Sequence, residues 1–156
     1  MTNEDHTIAA GSLLLDEQLC FALYAAQRAL TAAYRPLLEE LELTYPQYLV
    51  LLVLWERGET PIKDLATALR LDYGTMSPLL KRLEAAGLVH RERAAHDERS
   101  VLVACTERGA ALKQRATRVP GALLAATELE MPEVARLRGE LWRLAERAEA
   151  AAERGR

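Results

Sequence analysis

The run Leu71 to Leu88, LDYGTMSPLLKRLEAAGL, with VHRERAAHDERSVLV directly after it, restricts the possible folds of this chain more than any other stretch. Met76, Leu79, Leu80, Leu83 and Ala86 recur at helical spacing, Lys81 and Arg82 lie off that face, and Gly87 supplies a stop. Asp72-Tyr73-Gly74-Thr75 reads as a turn, and the helix start falls between Asp72 and Ser77. Pro78 then sits in the first turn or two, where a proline is tolerated at the cost of a local distortion. Two stretches rich in apolar and β-branched residues flank the charged centre AAHDE, a pattern that predicts a two-stranded hairpin without the usual Asn-Gly or Asp-Gly tip. Upstream, Thr60 caps and Pro61 opens a short amphipathic helix with Ile62, Leu65, Ala66 and Leu69 on one face.

Two short helices, a tight turn and a hairpin make a winged helix-turn-helix, whose second helix enters a DNA major groove while the wing reaches backbone or minor groove. Asp72, Tyr73, Thr75 and Ser77 offer short donors and acceptors near the helix start, Lys81 and Arg82 can bind phosphate, and Arg91, Arg93 and Arg99 charge the wing. Residues 60–108 carry eight Lys or Arg against seven Asp or Glu, whereas the whole chain has a net charge of -3, so the polarity is modest but favours this segment. The bland alternative, solvated faces of a small α/β segment, explains the charges but not the order of helices and hairpin.

The remaining chain fits around this unit. Residues 1–12 read as a flexible tail. Leu15, Leu19, Ala22, Leu23, Ala26, Leu30 and Ala33 predict a long first helix from near Asp16, which Pro36 bends or restarts before Thr44. Thr44-Tyr45-Pro46 is cap and helix start, and YLVLLVLWERG is apolar on nearly every position, the mark of a buried central helix that Gly58 closes. Thr106 caps a further helix that Pro120-Gly121 interrupts. Met131-Pro132 begins a last helix, on which Val134, Leu137, Leu141, Leu144 and Ala148 form a stripe suited to a dimer face or to an intrachain seam. The fold class is mainly α with a small β-wing. Its parts are the tail at 1–12, N-terminal helices at 13–45, the winged helix-turn-helix at 46–108, and C-terminal helices at 109–156.

At 156 residues with 50% hydrophobic and 28% charged content, the chain is one domain's worth of ordinary soluble protein. Its two cysteines, 20 and 105, have no metal-ligand or redox-pair spacing, so neither a metal, a disulfide scaffold nor any other cofactor is expected. An acidic start and the lack of an apolar run near the roughly 18 residues of a membrane span lead us to expect a cytoplasmic protein with no membrane partner.

Cys20 lies within about a turn of the first helix's start, where amide groups and the helix dipole can stabilise a thiolate. No Lys, Arg or His stands beside it; Tyr24, at i+4, is on the same face and able to donate a hydrogen bond. A cysteine among Leu and Phe is also a common small buried hydrophobe.

The run DLATALRLDYGTMSPLLKRLEAAGLVHRERAAHDERSVLVACTERG resembles the winged-helix core of the MarR family of bacterial regulators, including the wing's Asp-x-Arg at Asp97 and Arg99. LDEQLCFALY, YRPLLEELELTYPQYLVLLVLWE, LDYGTMSPLLKRLE and VPGALL extend the resemblance, over roughly residues 14 to 125, to the organic hydroperoxide resistance regulators. The resemblance implies a homodimer with first and last helices packed across the subunits, bound as a repressor to a pseudo-palindromic operator in double-stranded DNA. It also implies that Cys20 is a sensor for organic hydroperoxides, surrounded by Tyr24, Tyr34 and Tyr45, some of them from the partner subunit. Oxidation to sulfenic acid, followed by reaction with a thiol or by further oxidation, would move the dimer off its operator. Cys105, at the end of the wing, is not where some members carry a second cysteine. This chain is therefore of the one-cysteine type, which completes its switch with a low-molecular-weight thiol or by overoxidation. Tyr73 replaces a smaller residue more usual in the subfamily.

Three alternatives stand beside this reading: a regulator of the same fold released by a small phenolic or lipophilic ligand with Cys20 inert, a thiol peroxidase, and a helical scaffold without DNA affinity. No Thr-x-x-Cys or nearby Arg activates Cys20 for turnover, and a peroxidase would not need a wing, so an enzyme is not expected.

Overall fold

In the computed structural model, which describes residues 11–155, the apolar stretch at the chain's centre takes the place its composition demands. Tyr45–Arg57 forms α2, with Tyr48, Val50, Leu51, Val53 and Leu54 buried. Thr44 caps it through a reciprocal box: its hydroxyl accepts from the Gln47 N–H at 3.4 Å while the Gln47 side chain accepts from the Thr44 N–H at 2.9 Å. Gly58, at φ 75°, ends it by donating to the Leu54 carbonyl at 2.9 Å. Around α2 pack Ile62–Leu69 (α3) and Tyr73–Ala85 (α4), which bury Ile62, Leu65, Met76, Leu79, Leu80 and Leu83. Truncating one such fully buried leucine, Leu80 for example, costs about 2–5 kcal/mol.

The first helix, α1, runs Leu19–Glu39 and begins later than the expected Asp16. Leu15–Glu17 is a 3-10 turn, and Gln18 stays extended because its side-chain amide donates to the Ser12 and Leu14 carbonyls, each at 2.9 Å. Nor does Pro36 restart the backbone. It lies inside α1, close enough to the end that one missing donor is absorbed, and the helix closes beyond it with Glu42 left-handed and the Leu43 N–H bonded to the Leu38 carbonyl.

The hairpin forms as expected from Val89–Ala94 (β2) and Asp97–Cys105 (β3), antiparallel from Val89↔Cys105 to Ala94↔Asp97 with an irregularity at Arg93/Ala94. A third strand, Thr60–Pro61 (β1), pairs with Val103 and Leu102, so the sheet order is β1-β3-β2. Thr60 is therefore a strand residue, its hydroxyl donating to the Gly58 carbonyl, and not the cap of α3. Two residues are too few to show a strand period, and a proline is acceptable on an edge.

Glu107–Ala116 (α5) is capped by Thr106 as expected. The helical run is interrupted near Pro120-Gly121 as expected, but the break falls earlier, at Thr117; Pro120 and Gly121 lie in the first turn and a half of Arg118–Thr127 (α6), where a missing N–H costs least. Met131–Arg154 (α7) starts at the expected Met131-Pro132 behind a Glu130/Glu133 capping box. The chain divides into two compact units, up to Thr117 and from Arg118 on. Residues 1–10 of the expected tail lie outside the described residues.

Candidate functional site

The helix that carries the polar side chains, α4, is one-sided. Met76, Leu79, Leu80 and Leu83 are at most 2% exposed, which turns Tyr73, Pro78, Lys81 and Arg82 outward; Ser77 is half-buried. The turn before it is made by Arg70, left-handed at φ 54°, and by Leu71, whose N–H reaches the Ala66 carbonyl at 2.9 Å. Asp72 is thus not a turn residue but the helix cap. Its carboxylate accepts from the Thr75 N–H at 2.8 Å and the Thr75 hydroxyl at 3.0 Å, and these bonds hold the Asp72 pKa below the usual carboxylate value. Asp72 and Thr75 are consequently committed to each other, which fixes the start of α4. Tyr73, 64% exposed, stands at the first helical position. Pro78 is the sixth residue of α4 and on its outer face, so the carbonyl it leaves without a partner, that of Gly74, can be met by water.

On the wing, the expected cations divide. Arg91 is half-buried and its guanidinium grips the Glu84 carboxylate from two nitrogens, each at 2.7 Å, which fastens β2 to α4. Arg93 and Arg99 are exposed. Asp97 accepts from the Arg99 N–H at 3.0 Å, an Asx-type turn that orients the hairpin's return strand. Between α3, the start of α4 and the wing lies a cleft of about 520 Å³ whose polar lining is Lys63, Thr67, Arg70, Tyr73, Asp97, Arg99 and Ser100. Helix start, wing and cleft share one cation-bearing side of the same unit, the geometry with which a winged helix holds DNA.

The expected sensor residues separate into two pairs. Cys20 is the second residue of α1 and exposed; Tyr24, one turn on and 54% exposed, accepts from Arg28 Nη1 at 3.0 Å, with the guanidinium 5.5 Å from its ring centre. Tyr34 and Tyr45 stand together at the other end of α1, ring centres 5.0 Å apart. Tyr48, which within the apolar run of α2 reads as a core residue, joins them at 6.1 and 6.5 Å. Its spacing of three from Tyr45 on one helix face was the available signal. Burial, then the neighbouring phenols of Tyr45 and Tyr48, pushes the Tyr34 hydroxyl up to about 12; Tyr45 and Tyr48 are raised by the same burial. Cys105 is a free, half-buried thiol whose pKa burial pushes up, the opposite of activation.

Among the described residues no group of His, Cys, Asp or Glu could hold a metal ion, and no helix is long and apolar enough to cross a membrane. Fold and exposed face together define a winged-helix DNA-binding protein of the transcription-regulator class. Residues 32–116 match the family described as Transcriptional regulator SarA/Rot. The Organic hydroperoxide resistance transcriptional regulator of Bacillus subtilis (strain 168) is 46% identical over 132 residues, 85% of this chain and 90% of that one. AbfR of Staphylococcus epidermidis, solved in its reduced form bound to DNA, is 32% identical with a TM-score of 0.72 over 86% of this chain and 94% of its own. A mutant MarR from E. coli, complexed with operator DNA, is 27% identical with a TM-score of 0.75 over 85% of this chain and 99% of its own. The chain belongs to the MarR family of winged-helix transcriptional regulators, within its organic hydroperoxide resistance regulator subfamily.

Proposed function

We propose that this chain is a repressor that binds a pseudo-palindromic operator as a homodimer and leaves it when an organic hydroperoxide oxidises Cys20. The observation that carries the reading is the separation of Cys20 from Tyr34 and Tyr45. Fourteen residues of α-helix span about 21 Å, so Cys20 does not reach the tyrosine pair of its own chain, while a second copy packed antiparallel can bring its own Cys20 there. The first and last helices invite such a copy. Leu19 and Leu30 of α1 are 57% and 40% exposed, and α7 has no buried residue although Leu137 and Leu141 lie on its apolar stripe. In this reading residues 13–45 and 109–156 supply the dimer contacts and 46–108 the DNA contacts, with Tyr73, Ser77, Lys81, Arg82, Arg93 and Arg99 facing the operator. Asp72, Thr75, Asp97 and Arg91 act mainly by fixing helix and wing.

The chemistry is a two-electron oxidation. The Cys20 thiolate attacks the terminal oxygen of the hydroperoxide, the O–O bond breaks, and protonation releases an alcohol and leaves a sulfenic acid. A low-molecular-weight thiol then condenses with the sulfenic acid to a mixed disulfide and water. Overoxidised AbfR has been captured bound to DNA, which favours the mixed disulfide over overoxidation as the releasing species here. The chain consumes its sulfur once per switch and is a regulator, not a peroxidase, acting where the DNA is, in the cytoplasm.

The test is a gel shift on DNA upstream of the chain's own gene with cumene hydroperoxide and a small thiol. The wild type releases DNA; Cys20→Ser binds and ignores peroxide. Release of Cys20→Ser by the same treatment removes the redox reading, and absence of any shift at low salt removes the regulator reading.

A further inference from the structure

Tyr48 is the best-buried member of the aromatic cluster at 3% exposed, and its ring lies beside both sensor tyrosines and a further ring behind them. Trp55 meets it edge-on at 6.4 Å and is itself anchored: its indole N–H donates to the Gly109 carbonyl at 3.0 Å, and its carbonyl accepts from Lys113 Nζ at 3.1 Å. Tyr48 therefore has little rotamer freedom, whereas Tyr34 and Tyr45 are only half-buried and each has a ring neighbour in the other and in Tyr48. The three phenols also sense one another electrically, since charge on Tyr45 opposes ionisation of both Tyr34 and Tyr48, and charge on Tyr48 opposes that of Tyr34.

We propose that Tyr48 is a positioning residue of the peroxide sensor: its hydroxyl completes a three-phenol cluster that aims Tyr34 and Tyr45 at the Cys20 sulfur of a second copy. This rests on the sensor reading above. In the attack on the O–O bond, negative charge passes from sulfur to the departing alkoxide, and hydroxyl donors held at a fixed angle stabilise it better than donors free to turn. Tyr48 donates nothing to the sulfur itself; it limits where the two donors point.

Tyr48→Phe keeps the ring and its packing while removing the one oxygen in question. The experiment measures, on the full-length reduced protein, the second-order rate of Cys20 sulfenic acid formation with cumene hydroperoxide, trapped by dimedone and read by mass spectrometry. Thermal midpoint and operator affinity are recorded beside it. A fall of about tenfold in rate, with midpoint and affinity unchanged, is the expected result. An unchanged rate in Tyr48→Phe beside a reactive wild type overturns this inference and leaves the sensor reading intact. A rate that falls only together with midpoint and affinity also overturns it, because Tyr48 is then packing alone. A wild type whose Cys20 does not react overturns the sensor reading and this inference together.

Discussion

Cys20 and Tyr34 lie fourteen residues apart on one helix, about 21 Å along its axis, so a site that uses both must draw them from different chains. Mixed dimers make this testable. A Cys20→Ser chain combined with a Tyr34→Phe/Tyr45→Phe chain contains one complete site if the site spans two subunits and none if it lies within one. Peroxide sensitivity at about half the wild-type site number is expected from stopped-flow sulfenate formation; sensitivity no better than that of the tyrosine double variant alone would place the site within a single chain.

Arg91 and Arg99 should separate in their salt dependence. Arg99 is exposed beside the wing turn, whereas Arg91 is occupied by Glu84. Arg99→Ala is expected to weaken operator binding and lower the slope of log K against log salt by about 1. Arg91→Ala is expected to leave that slope in place and to lower stability by roughly 0.5–1 kcal/mol, since the pair is partly solvated. Fluorescence anisotropy across a salt series, with urea denaturation beside it, distinguishes the two.

Gly109 has no room for a side chain, because a Cβ there would overlap the Leu88 carbonyl oxygen, a backbone atom at the root of the wing. Gly109→Ala must push α5 from β2, and with it the carbonyl that anchors Trp55. A loss of about 3 kcal/mol in urea denaturation is expected, at the upper end of overpacking costs because backbone yields less than a side chain.

Alkaline pH should act through Tyr34. Its pKa is raised from 10.0 to about 12 in the folded chain, so folding favours the neutral phenol; the stabilisation is complete below pH 10 and is lost as pH rises through about 12. Tyr34→Phe removes this titration. Stability of the wild type between pH 10 and 12 is expected to fall more steeply than that of the variant when both are followed by circular dichroism in urea.

What could be read in the sequence was what local spacing encodes. The apolar repeat Met76, Leu79, Leu80, Leu83 and the stop at Gly87 were legible because a helix needs no distant partner to declare its period. Pairings between distant segments were not. Nothing in Thr60-Pro61 announces an edge strand until Val103 and Leu102 lie beside it, and nothing in Arg91 announces Glu84. At Asp72 the residue type gave a polar helix start, but only the bonds to Thr75 show that its carboxylate is spent on capping. For the proposed sensor, Cys20 and Tyr24 stand out by helix position and i+4 spacing, whereas Tyr34 and Tyr45 rest on family resemblance alone. Tyr48 is hard to single out because a tyrosine within YLVLLVLW satisfies an apolar pattern as well as a leucine does; its spacing of three from Tyr45 is a hint that the ring distances then decide.

The central claim, that oxidation of Cys20 is what lifts the chain from DNA, is tested most directly by one titration. Operator-bound protein is treated with increasing cumene hydroperoxide in the presence of a small thiol, and anisotropy of the labelled operator is read alongside the mass of the Cys20 and Cys105 peptides. DNA release is expected to track the fraction of Cys20 modified while Cys105 remains a thiol. Release with Cys20 still reduced, or DNA still bound once Cys20 has been converted to the mixed disulfide, would contradict it.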